Sequence, residues 1–185
     1  MFLSEKYPEH LDLIKFGDHC NWTWDCFQLA KAYCNAEDIH GWSGIDSYLV
    51  PILREYALLQ IAKIHDPKES SGHPNHSLDH LVARYGAEPD PAVVAFKKDN
   101  ADFIESVCQA RKKVIAHNDL AALGFDRHIG TFANGSDEVY FRSLHQAVAR
   151  LYEKAGIGPL PEWSSFAQHD AELFLKVVRT AQRSK

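Results

Sequence analysis

Arg111 and His117, six positions apart in the stretch ARKKVIAHND (110–119), are residues whose types and spacing could do chemistry together. A guanidinium presents a planar fork of donors that matches a phosphate. An imidazole takes up and returns protons near neutral pH. Together the two could cleave RNA without a metal ion. Lys113, one turn before His117, could bind a phosphate or lower the histidine's pKa by like charge. Asn118 could orient a phosphate or a base, and Asp119 could orient an imidazole or cap the next turn. By spacing alone the competing reading is a helix-end histidine bonded to a carbonyl, with Arg111 in a structural salt bridge.

Such residues need elements to hold them, and the chain reads as helical nearly throughout. A first helix is predicted from about Pro8 to Asn35, with Leu13, Phe16, Cys20, Phe27, Ala30 and Cys34 on one stripe. A second runs from about Ser43 to His65; it is apolar almost all round, which predicts a central, buried helix, and Pro51 implies a kink or a start near Leu49. After a polar loop, Asp66 to His76, a short helix capped by Ser77 ends near Gly86. Asp90 and Pro91 open the longest helix, to about His117. A loop from Asn118 to Ser136 leads to a helix capped by Ser136, with Phe141, Leu144, Val148, Leu151 and Ala155 as its stripe and Gly156 as its stop. The connector GIGPLPEW precedes a last helix with a capping box at Ser165 and Gln168, reaching about Gln182. No strand pattern is evident. The fold class is therefore an all-α bundle of about five to six helices.

The longest helix sets the geometry of the motif. Its predicted stripe is Val93, Phe96, Phe103, Val107, Ala110 and Val114. On a straight helix Arg111 and His117 stand about 120° apart on either side of that stripe, and Lys112 points away from it. One straight helix cannot aim both at the same atom. A shared site needs a distorted helix end or a second copy of the helix, which a two-fold dimer supplies.

Composition narrows the rest. The 185 residues are 45% hydrophobic and 24% charged, which predicts one globular domain over residues 1–185, able to bury a core without staples. A net charge of -5 excludes a generally basic surface, so any nucleic-acid contact must be local. No apolar run is long enough for a membrane span, and MFLSEKYPEH has no signal-peptide pattern, so the expected location is cytoplasmic. The sequons at Asn21 and Asn134 then carry no glycan. Cys20, Cys26, Cys34 and Cys108 form no Cys-x-x-Cys pair and read as reduced thiols, Cys20 and Cys34 in the core. His73, His76 and His80, with His65 and Asp66 upstream, could hold zinc or nickel. The favoured reading is a solvated loop, with no metal and no cofactor. Trp22, Trp24 and Phe27 read as packing residues, and Trp42 and Trp163 as covers at core edges. Lys97, Lys98 and Lys112 could line a phosphate path, though a solvated helix face is the simpler account.

ARKKVIAHND resembles the signature of HEPN domains, an arginine followed after four to six residues by a histidine. The ending Ala116, His117 and Asp119 looks most like the abortive-infection (AbiU-type) subgroup, and YALLQIAKIHDP followed by SLDHL is similar to that subgroup's buried helix, Asp-Pro turn and short helix. The resemblance covers about Ser43 to Asp119. It implies a helical bundle that dimerises through the motif helix, and a metal-independent endoribonuclease of toxin–antitoxin or phage-defence type, with RNA as substrate and an antitoxin as a possible partner. Arg111 would stabilise charge on the phosphate and His117 would move the protons, leaving a 2′,3′-cyclic phosphate. Lys113, Asn118, Asp119 and Lys112 would support or bind the nucleic acid. The chain departs from the family at Lys112, where active nucleases usually carry a small polar residue. Other HEPN domains only bind RNA, nucleotides or proteins, which is the alternative for this chain.

Overall fold

The computed structural model describes residues 2–35, 45–112 and 135–183. They form an all-α bundle. A short α1 (Leu3–Lys6) and a single 3-10 turn (Pro8–His10) lead into α2 (Leu11–Asn35). Then come α3 (Ile45–Ile64), α4 (Leu78–Arg84), α5 (Pro91–Asp99) and α6 (Ala101–Ala110). The long α7 (Ser136–Ala155) and α8 (Ala167–Arg183) complete the order.

The core sits where α7 meets α2, α4 and α5, with Leu78, Leu81 and Val82 of α4 buried in it and α3 packed on α2 and α6. On α7 it takes Tyr140, Phe141, Leu144, Ala147, Val148, Leu151 and Tyr152, a spacing of three and four that keeps one helix face buried. From α2 come Leu13, Ile14, Phe16 and Cys20, and from α3 Leu58, Ile61, Ala62 and Ile64. Val93 and Phe96 of α5 and Val107 of α6 close it. A satellite cluster of Tyr33, Ala171 and Leu175 fixes α8 against the far end of α2. Among the described residues no helix is long and apolar enough to cross a membrane.

Local chemistry explains the helix ends. The Ser77 hydroxyl accepts the His80 amide and the Asp90 carboxylate accepts the Ala92 amide, with Pro91 in the first helical position, as the sequence predicts. Gly156 ends α7 in the left-handed region at φ 70°.

Five expectations need correction. The helix predicted from Pro91 to His117 is broken at Asn100, which sits at φ -113°, ψ 10° and is at once the last cap of α5 and the first of α6. Its side-chain amide donates to the Phe96 carbonyl at 2.8 Å and reaches Ser143 Oγ at 3.4 Å, so it competes with the backbone for helical partners. Ser136 does not cap α7; it is the first residue of the helix, and Gly135 precedes it at φ 80°. The helix α3 runs unbroken through Pro51 but is not buried all round, since Ile52 and Tyr56 are exposed. Trp22 is 51% exposed, not packed between helices, because it falls on the outer face of α2. Finally, a small antiparallel ladder pairs Glu69–Ser70 with His73–Pro74 around Ser71 and Gly72, both at positive φ. Two-residue strands are too short to leave an alternation in the sequence.

Candidate functional site

Arg111 lies where α6 ends. Its amide still bonds back to Val107 and Cys108, but from Arg111 to Lys112 the backbone widens into π geometry. Regular α-helical phase therefore stops at Ala110. The α6 helix packs against α3, which is stopped by the sequence His65-Asp66-Pro67: Pro67 has no amide for a further helical bond. His65 and Asp66 close the last turn by bonding to Ala62 and Lys63. Cys108 and Arg111, three residues apart, share a face and both reach this turn. The Cys108 thiol lies 3.9 Å from the His65 carbonyl, and Arg111 forms a hydrogen-bonded ion pair with the Asp66 carboxylate. The two charged side chains are 32% and 25% exposed, so solvent still reaches the guanidinium.

The groups behind this pair belong to the core. The His65 ring stacks on Phe96 and shares a 2.6 Å hydrogen bond between Nε2 and the Tyr140 hydroxyl. Burial lowers its pKa to about 4, and burial likewise holds the Tyr140 hydroxyl well above its ordinary value. His65 is thus a neutral, fixed imidazole at pH 7 and not a proton carrier there. Burial also raises the Cys108 thiol, helped by the nearby Asp66 carboxylate, so it is protonated rather than nucleophilic.

The predicted site residues divide into two groups. Arg111 and Lys112 are described, the first paired with Asp66 and the second exposed. Lys113, His117, Asn118 and Asp119 lie outside the described residues, as do Cys34's side chain, Trp42 and Val114. The described chain therefore joins Arg111 to Asp66, a residue that spacing along the motif does not reveal. Its only sequence signal is the Asp-Pro turn that stops α3. Of the lysines considered for a phosphate path, Lys97 is held by Asp79 at 2.6 Å, while Lys98 and Lys112 are exposed.

The histidine cluster separates in space and role. His73 lies exposed in the small ladder, whereas His76 Nε2 is 2.7 Å from the Asp12 carbonyl and sets its ring edge against Phe16. Among the described residues no three His, Cys, Asp or Glu side chains converge to hold a metal ion. Trp24 and Phe27 pack on Phe141 at 4.8 and 5.2 Å between ring centres, and Trp163 meets His145 edge-on. Comparison with family models, curated proteins and solved structures gives no match.

Proposed function

We propose that the protein is a HEPN-type, metal-independent endoribonuclease, active as a homodimer in a toxin or phage-defence role. The observation that supports this reading is the meeting of α3's Asp-Pro turn with the end of α6. The segments that resemble the family are separate in sequence, and the Asp66–Arg111 contact makes them neighbours. In the proposed reaction the RNA 2′-oxygen, losing its proton to a base, attacks the adjacent phosphorus. The bond from phosphorus to the 5′-oxygen breaks, that oxygen takes up a proton, and a 2′,3′-cyclic phosphate remains. His117 moves a proton in this exchange, and Arg111 stabilises the charge that builds on the non-bridging oxygens. Lys113, Asn118, Asp119 and Lys112 bind or steer the RNA, and an antitoxin restrains the enzyme.

A second reading rests on the same ion pair. Asp66 already pairs with one arm of the Arg111 guanidinium, as it would in a binding module whose arginine is structural. The deciding experiment is induced expression in a bacterial host of wild type, Arg111→Ala and His117→Ala, with growth and total RNA followed over time. It is paired with purified protein incubated with RNA in excess EDTA. The nuclease reading expects growth arrest and fragments with cyclic-phosphate ends for wild type alone. Intact RNA with all three folded proteins would select the binding module.

A further inference from the structure

None of the residues proposed for RNA cleavage lines the cavity of about 480 Å³ found between the N-terminal segment, α2 and the connector that follows α7. Its volume falls in the range of small-molecule sites, roughly 300–1,000 Å³. On α2 the lining positions include Ile14, Gly17 and Asp18, which share one helix face. The opposite wall is the connector, with Glu162 and Trp163, and the N-terminal segment adds Phe2.

The walls are tied together before any ligand arrives. The Asn21 side-chain carbonyl accepts the Ser164 amide at 3.1 Å, and the Ser165 hydroxyl donates to Asp25 at 2.6 Å. These bonds fasten the connector to α2. Gly17 completes the floor: a Cβ there would fall within contact of the Tyr152 hydroxyl and 3.2 Å from Leu160 Cδ1. Only a glycine lets the tyrosine lie this close to the helix. Preorganised walls reduce the cost of ordering on binding.

The lining also has a sign. Asp18 and Glu162 contribute two carboxylates, and no lysine, arginine or histidine is among the described residues that line the cavity. Carboxylates accept hydrogen bonds and favour a cation, and Phe2 and Trp163 add aromatic surface to the lining. An anion would meet two like charges.

We propose that this cavity binds a small organic cation of the alkylamine class, its ammonium near Asp18 and Glu162 and its alkyl chain against Phe2 and Trp163. The test is titration of the intact protein with n-butylamine at neutral pH and constant ionic strength, read from the indole N–H signal of Trp163 by NMR. That signal is assigned with Trp163→Phe. Saturable shifts are expected for wild type. Asp18→Asn combined with Glu162→Gln, both exposed positions that the fold does not bury, should weaken binding about tenfold or more. The charge-matched control Asp99→Asn with Asp102→Asn, remote in sequence and absent from the lining, should bind as wild type does, and butyrate should not compete. No saturable shift, unchanged affinity in the Asp18/Glu162 variant, equal weakening in the control, or competition by butyrate would each overturn the proposal.

Discussion

Under the proposed function Arg111, paired with Asp66, has two roles that substitution can separate. As a partly exposed ion pair it contributes at most about 1 kcal/mol to stability. As a phosphate ligand it is worth far more to a cleavage reaction, and a lysine cannot reproduce the planar fork. Arg111→Lys is therefore expected to lower the rate of RNA cleavage by roughly a hundredfold while leaving the denaturation midpoint nearly in place. A variant that cuts RNA at the wild-type rate removes Arg111 from the chemistry. His65, next to Asp66, makes a different prediction. Its pKa is about 4 in the fold against an ordinary 6.5, chiefly because it is buried. The unfolded chain binds a proton below about pH 6.5 that the folded protein refuses until about pH 4. Stability from this group is complete above the first value and is lost as pH falls toward the second, at about 1.4 kcal/mol per pH unit. His19, also lowered by burial, adds in the same direction. Urea denaturation between pH 7 and 4.5 should show that slope, and His65→Gln should flatten it. An equally steep profile in the variant would assign the acid sensitivity to other groups.

At the level of elements, α2 and α7 approach closely at Gly17. Replacing a helix-interior glycine by alanine ordinarily stabilises by about 1 kcal/mol. Here the added methyl meets the Tyr152 hydroxyl and Leu160, both on buried residues. Gly17→Ala is expected to destabilise by about 1–3 kcal/mol, measured by chemical denaturation, and Gly17→Ala with Tyr152→Phe should recover part of the loss. A more stable single variant would mean that the helices separate easily at this point. The same elements show what sequence can reveal. The α7 stripe was legible because Phe141, Leu144, Val148 and Leu151 repeat at helical spacing, and the caps at Ser77 and Asp90 were legible because capping is local. The break at Asn100 was not, because the apolar stripe continues across it from Phe96 to Val107, while the turn conformation and the side-chain bonds to Phe96 and Ser143 leave no mark on that stripe. The exposure of Ile52 and Tyr56 on α3 was missed for another reason: composition shows how apolar a helix is, not which neighbours cover it. Half of the candidate site was legible as residue types in ARKKVIAHND, whereas Asp66 depends on how α3 and α6 pack, a relation forty-five positions apart in the chain.

For the molecule as a whole, a net charge of -5 and the proposed RNA substrate together require that attraction be confined to a small region. The proposed dimer would meet this need by placing two copies of Arg111, Lys112, Lys113 and His117 side by side, doubling the local positive charge without changing the sign of the surface elsewhere. It would also remove the phase problem, since the arginine of one chain could face the histidine of the other. That arrangement has a consequence no single-chain site shares. In a mixed dimer of Arg111→Ala and His117→Ala subunits, one active combination survives, with Arg111 from one chain and His117 from its partner. Each homodimer lacks one of the two residues entirely. Co-expressing the variants with different affinity tags and purifying the mixed dimer should restore about half of wild-type RNA cleavage if the two sites act independently, while both homodimers stay inactive. If the mixed dimer is as inert as its parents, the arginine and histidine must act within one chain, and the two-fold axis has no part in building the site. If the protein runs as a monomer at micromolar concentration yet still cuts RNA, the dimer is unnecessary altogether, and the wider turn at Arg111 and Lys112 becomes the place to look for how one chain brings both residues to the same phosphate.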